Sequence, residues 1–259
     1  MILHAESEGS GAAVVILHGL MGSCENWRRV RKALADRYRV ICLDLPNHGR
    51  SSHLRDFNLK SIAAQVLATL DNLSVTRVVV VGHSLGGKVA MQMASDHADR
   101  LAGLVVVDIS PRAFKPVHLF VLRACQALDL ASASRRSDLD QKLATSIPQE
   151  DTRAFLLKNV VRDSAGRFCW RVPLQTLIDT CRVVSDAPAL QRPYAGPSLF
   201  VVGERSPFYV AADAALIHAW FPVAQLVTIA GAGHLIHTEK PALFISHVRA
   251  FLDHLGSWS

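Results

Sequence analysis

The stretch "VVVVGHSLGGKVAMQMA", Val78 to Ala94, decides how the rest of the chain is read. Four consecutive valines predict a strand buried on both faces. Gly82, Ser84 and Gly86 then form a G-x-S-x-G arrangement, and apolar residues at helical spacing follow. Strand, tight turn and helix in that order is the context in which this motif carries a nucleophile. The turn forces the serine into a strained backbone conformation, and small residues two before and two after let strand and helix approach closely. Ser84 is therefore expected to project its hydroxyl from the carboxyl edge of a sheet. The amide of Leu85, at the helix amino terminus, points where an oxyanion would develop. A glycine-rich turn with an incidental serine is the alternative, and the flanking elements argue against it.

Outward from this turn, "AAVVILHG", "RVICLDL", "LAGLVVVDIS", "SLFVVG" and "AQLVTIAG" read as further buried strands, with helix-length amphipathic stretches between them. That alternation predicts an α/β fold with a mostly parallel sheet flanked by helices. The rhythm breaks between about Ser110 and Pro197, where several helical patterns occur and no strand is evident. We expect residues 1–110 and 197–259 to form the core and 111–196 an all-helical cap roofing a pocket.

The composition fits a packed globule. Of 259 residues, 50% are hydrophobic, enough for one domain with a sizeable core. Five cysteines without a CxxC pair point to a reducing compartment, the cytoplasm by default. "MILHAESEGSG" lacks the basic start and apolar segment of a signal peptide. "AALIHAWFPVAQLVTIAGAG" is long enough for a membrane span, but His218, Pro222 and Gln225 interrupt it, and it reads as helix, turn and strand. The net charge of +6 includes Arg28, Arg29, Arg31, Lys32, Arg37 and Arg39. Both a nucleic-acid face and a solvated helix face accommodate that cluster; without interleaved aromatics the second is preferred.

A second oxyanion amide is expected from "HGLMGS", where His18 and Gly19 turn after the first long strand and present the N–H of Leu20. His18 braces that loop in this reading. The base should come late in the chain, because the order on this kind of fold is Ser, acid, His. His234 follows "GAG" and can reach back over the sheet edge; His237 stands three residues on, and His83 packs at the turn. His234, His237 and Glu239 could also be read as metal ligands, but no HExxH pattern or third histidine accompanies them.

With these residues in view, the sequence resembles a serine esterase of the α/β-hydrolase superfamily. The likeness covers nearly the whole chain and rests on "HGLMGS", "DLPNHGRSS", "GHSLGGK", "VVVDISP" and "GAGHLIHTEKP", in that order. Within the superfamily, "GHSLGGK" with "DISP", and "FLLKNVV" followed by "RFCWRVPLQTL", are most similar to a small bacterial esterase and thioesterase group with mitochondrial abhydrolase-domain relatives. The resemblance places the cap between the sixth and seventh strands of the fold, although the amino terminus is too short for the full leading hairpin. It gives the Asp44–Ser51 loop a structural role.

The acid departs from the common pattern. The superfamily usually supplies an aspartate after the strand "SLFVVG", where this chain has Glu204, Arg205 and Ser206. Asp108, at the end of "GLVVVDIS", is the preferred candidate. Its strand should neighbour that of Ser84, and the resemblance implies the same acid, since the similar branch uses the aspartate of "DISP". Asp108 as a cap for the turn before Pro111, and Glu204 as the acid, stay open.

The reaction expected is cleavage of short to medium acyl esters, with acyl thioesters in range, through a Ser84, His234, Asp108 acyl-enzyme without metal or organic cofactor. Phe168 and Trp170 are candidates for the substrate wall, or ordinary packing residues. Carbon–carbon bond hydrolysis, lactone opening and perhydrolysis use a similar triad and remain alternatives; dehalogenases and epoxide hydrolases, with aspartate at the turn, do not fit. A non-catalytic binding module on the same fold would leave Ser84 unreactive. Partners are expected to be small molecules rather than nucleic acid or membrane, and the chain a monomer or small homo-oligomer.

Overall fold

The computed structural model describes residues 1–258. Its main sheet has seven strands, β1 (Ala5–Glu8), β2 (Ala13–Leu17), β3 (Arg39–Leu43), β4 (Val78–His83), β5 (Leu101–Val107), β8 (Ser198–Gly203) and β9 (Ala224–Ile229), in the order β1-β3-β2-β4-β5-β8-β9. All neighbours run parallel except β1, which pairs antiparallel with β3. The apolar runs are explained by this order: β2, β4, β5 and β8 are interior and buried throughout.

Alternate residues of each strand feed two cores. Val15, Leu17, Val80, Val106 and Phe200 pack on one face with α2 (Leu59–Asn72) and α3 (Leu85–Asp96). Val14, Ile16, Val81, Val107 and Val201 pack on the other with α1 (Arg28–Leu34) and α11 (Pro241–Leu255). The basic stretch is not one open face: buried Arg31 pairs with Glu6 and Glu8 of β1, and Arg37 reaches Asp253 at 2.9 Å. Those ion pairs explain why β1, with the polar sequence AESE, holds a sheet edge that periodicity does not reveal.

Between β5 and β8 lie α4 (Val117–Gln126), α5 (Arg136–Ala144), α6 (Glu150–Leu157), α7 (Leu174–Asp179) and α8 (Cys181–Ser185). The insertion is not all-helical. β6 (Val160–Arg162) and β7 (Phe168–Trp170) form an antiparallel hairpin closed by a turn in which Gly166 N–H donates to Asp163 O at 2.9 Å. The insertion lies between β5 and β8, which are neighbours in the main sheet. Two short helices, α9 (Asp213–Trp220) and α10 (Ile236–Glu239), complete the chain.

Lys88 fastens the insertion's exit to the core. Its buried ammonium, on α3, donates to Val184 O at 2.7 Å and Asp186 O at 2.5 Å. One and two turns on, Gln92 accepts from Ala189 N–H at 3.1 Å and Ser95 from Gln191 N–H at 2.8 Å.

Candidate active site

Ser84 occupies the turn between β4 and α3 with φ 52° and ψ −114°. An L-residue in such a conformation stores roughly 1–3 kcal/mol of strain and persists only where its surroundings impose it. Here Ser84 N–H donates to Val107 O at 3.0 Å, and Ser84 O accepts from Lys88 N–H at 3.0 Å. A Cβ on Gly86 would strike the Leu17 carbonyl, and one on Gly82 would strike the Gly86 backbone. The two glycines are thus what lets β2, β4 and α3 converge under the serine.

The sheet register brings the remaining groups alongside. His83 pairs with Val107, and Val107 with Val201, so Ser84, Asp108 and Val202 each stand one step past a matched row. Asp108, also at positive φ (55°), has a fully buried side chain. Its Oδ1 accepts from Gly203 N–H at 2.7 Å; its Oδ2 accepts from His234 Nδ1–H at 2.6 Å and from the Ser206 hydroxyl. A carboxylate on Nδ1 fixes the imidazole tautomer and leaves Nε2 to accept a proton.

Three further histidines brace this arrangement. His18 donates from Nδ1 to Gly19 O at 2.8 Å and accepts from Leu45 N–H at Nε2 at 2.9 Å, and burial pulls its pKa below the ordinary value. His83 donates from Nε2 to His234 O at 2.8 Å; burial first, then the neighbouring histidines, hold it well below 6.5. It does more than pack, since it anchors the backbone of the His234 loop. His237 is buried and stacked on Trp27, with ring centroids 4.1 Å apart. Asp44 joins the loops beneath, accepting from Cys24 N–H at 2.7 Å and Arg50 N–H at 2.8 Å.

Ser84 and His234 line one cavity of about 170 Å³. Leu20 and Met21 contribute from the loop after β2, His118, Val121 and Leu122 from α4, and Thr152, Phe155 and Leu156 from α6. The N–H of Leu85 is among the four at a helix start that lack an intrahelical acceptor. Phe208 packs on His234 at 4.3 Å and lies nearly parallel to His118 at 5.5 Å. Burial draws His118 down to a pKa of about 4, so it is neutral near pH 7.

Residues 12–241 match the family described as alpha/beta hydrolase fold. The chain belongs to the α/β-hydrolase family. Among relatives of this α/β-hydrolase, the mouse (Mus musculus) sn-1-specific diacylglycerol lipase ABHD11 is 36% identical over 248 residues, 93% of this chain and 80% of that protein. Esterase YbfF of Escherichia coli (strain K12) is 29% identical over 253 residues, 96% of each chain. A solved marine microorganism esterase superposes with a TM-score of 0.93 at 33% identity, covering 96% of this chain and 99% of its own.

Set in this hydrolase, the residues singled out from sequence divide clearly. Ser84, Leu20 and His234 line the cavity, Leu85 follows the serine, and Asp108 meets His234. Glu204 turns away: its Oε2 accepts from Gly231 N–H at 2.8 Å. Phe168 and Trp170 do not line the cavity. They lie on β7, packed against the sheet's larger core, with the Arg162 guanidinium 4.1 Å from the Phe168 ring. The hairpin, unseen as strand in the sequence, turns them elsewhere. His234, His237 and Glu239 diverge to Asp108, to Trp27, and to the N–H groups of Gly233 and Leu235, respectively. His118 and the α6 residues were missed; the usable signal was the i, i+3, i+4 row His118, Val121, Leu122, whose inward side a helical cap must turn toward the pocket.

Proposed function

We propose that this α/β-hydrolase cleaves short to medium acyl carboxylic esters through an acyl-enzyme on Ser84. The carrying observation is the 2.6 Å pair of His234 and buried Asp108 beside a strained serine in a shared, mostly apolar cavity. In the first half-reaction Ser84 Oγ attacks the ester carbonyl while His234 Nε2 takes its proton. The amides of Leu20 and Leu85 donate to the oxyanion, worth roughly 2.7–4 kcal/mol for a donor of this kind. As the intermediate collapses, the C–O bond to the alcohol breaks and His234 returns the proton to that oxygen. Water then attacks the acyl-serine by the same route, releasing the acid and restoring Ser84. Asp108 holds the imidazole and stabilises its protonated form without itself being protonated.

In this reading residues 111–196 form a cap over the core made by 1–110 and 197–259, and α4 and α6 give the acyl wall. Five free cysteines suit a reducing compartment such as the cytoplasm. Hydrolysis of p-nitrophenyl esters from acetate to laurate, with Ser84→Ala as control, tests the proposal. Activity should peak at short to medium chains and vanish in the variant. Hydrolysis that survives Ser84→Ala, or no ester hydrolysis by the folded protein, would refute it.

A further inference from the structure

Next to the cavity at Ser84 is a second, larger space, a basin of about 630 Å³, that shares part of its wall. Thr152, Phe155, His234 and Leu235 line both spaces, whereas Ser84 lines only the inner one. The two walls differ in chemistry. Met21, Val121, Leu122 and Leu156 make the inner space apolar, but Asn26, Gln149 and Thr238 face the basin. The basin also carries the carboxylates of Glu25, Asp151 and Glu239 and the Lys158 ammonium, and Glu239 is paired with Arg205 at 3.6 Å. Glu239 is held in place by the N–H groups of Gly233 and Leu235, at 2.7 and 3.1 Å.

Acyl transfer dictates which half of a substrate belongs in which space. The departing oxygen must take its proton from His234, so the leaving group lies beside that imidazole. His234 borders both spaces, whereas Ser84, Leu20 and the apolar wall line only the inner cavity. We propose that the basin is the leaving-group subsite, and that it selects a neutral, hydroxylated or cationic alcohol over an anionic leaving group. The polar side chains suit hydroxyl groups, and with Glu239 paired to Arg205 the remaining excess of carboxylate, Glu25 and Asp151 against Lys158, disfavours anions such as the phosphates of coenzyme A. The inference rests on the reading of Ser84 and His234 as nucleophile and base, and it separates alcohol esters from carrier thioesters within that reading.

The test uses butyrate esters of choline, glycerol and glycolate, which carry a cationic, a neutral and an anionic leaving group on one acyl chain. Glu25→Lys with Asp151→Lys reverses the excess charge of the basin without touching the catalytic groups. In that double variant the ratio of kcat/KM for the choline ester to that for the glycolate ester should fall on the order of tenfold at low ionic strength, and the difference should shrink in about 0.5 M salt. Hydrolysis of p-nitrophenyl butyrate by the double variant, abolished when Ser84→Ala is added, shows that the catalytic groups are still in place. An unchanged ratio, with p-nitrophenyl butyrate still hydrolysed, would overturn the assignment. So would a matched p-nitrophenyl hemisuccinate responding in place of the glycolate ester, which would put the acyl chain in the basin. Failure of the underlying reading looks different: no Ser84-dependent hydrolysis of any ester, p-nitrophenyl butyrate included, and the subsite falls with it.

Discussion

Asp108→Asn changes the chemistry of one atom and almost no volume. Gly203 N–H donates to Oδ1 at 2.7 Å and needs an acceptor opposite it, so the new amide must keep its oxygen there and turn its NH₂ toward His234 and Ser206. Facing a donor, Nδ1 of His234 must become the acceptor, which moves the ring proton to Nε2. An imidazole protonated there cannot take the proton of Ser84. The same inversion of tautomer in a comparable triad lowers kcat about 10⁴-fold, equivalent to about 5.5 kcal/mol at 1.36 kcal/mol per tenfold. Stability should fall by only about 1–2 kcal/mol, because the Ser206 hydroxyl can rotate to accept from the new amide. Turnover of p-nitrophenyl butyrate and urea unfolding of the same preparation separate the two effects. Glu204→Gln, at a side chain tied to Gly231, is the control and should stay within about threefold of wild type. Asp108→Asn within about tenfold of wild type, or a loss on the order of 10⁴ in Glu204→Gln, would rule out Asp108 as the acid that orients His234.

Ser206→Ala removes one of three donors from a fully buried carboxylate and should cost about 1.5–3 kcal/mol of unfolding free energy. If part of that support reaches the transition state, kcat drops on the order of tenfold; unchanged thermal unfolding and turnover would show that the hydroxyl is idle. Val121→Phe fills the cavity wall and should shorten the preferred acyl chain by a carbon or two, at about 0.8 kcal/mol per excluded methylene. Phe168→Ala and Trp170→Ala should leave the chain-length profile where it is, and a shift in either would restore them to the substrate wall. Burial holds neutral His48 and His237 at pKa values of about 3, against an ordinary 6.5. The unfolded chain therefore binds protons that the folded chain refuses between those values, so stability is complete above pH 6.5 and is lost as pH falls through the window. By about pH 5 the loss should reach roughly 2 kcal/mol for each histidine, and urea midpoints equal at about pH 7.5 and about pH 5 would contradict it.

What the sequence revealed follows from how local each signal is. Interior strands such as β4 and β5 are buried on both faces, so their apolar runs could be read directly, and the G-x-S-x-G turn located Ser84 because its strain demands small neighbours. Asp108 was accessible by a longer route, since adjacency of consecutive parallel strands predicts that their carboxyl ends meet. β1 escaped because it is stabilised by pairing with β3 and by the ion pairs of Arg31, neither of which leaves a periodic trace. The β6–β7 hairpin has strands of three residues each, too short to compete with the helical spacing of "FLLKNVV"; the Asp163 to Gly166 turn was the overlooked cue. The cavity wall depended on which face of α4 and α6 meets the sheet edge. Tertiary packing decides that.

The proposed acyl-enzyme requires Ser84 to be an activated nucleophile. Labelling the folded protein with a fluorophosphonate probe, followed by peptide mapping, tests it most directly. One adduct is expected, on Ser84, that disappears in Ser84→Ala and forms far more slowly in His234→Ala. An unlabelled Ser84 in the folded protein, or labelling at the same rate without His234, would contradict it.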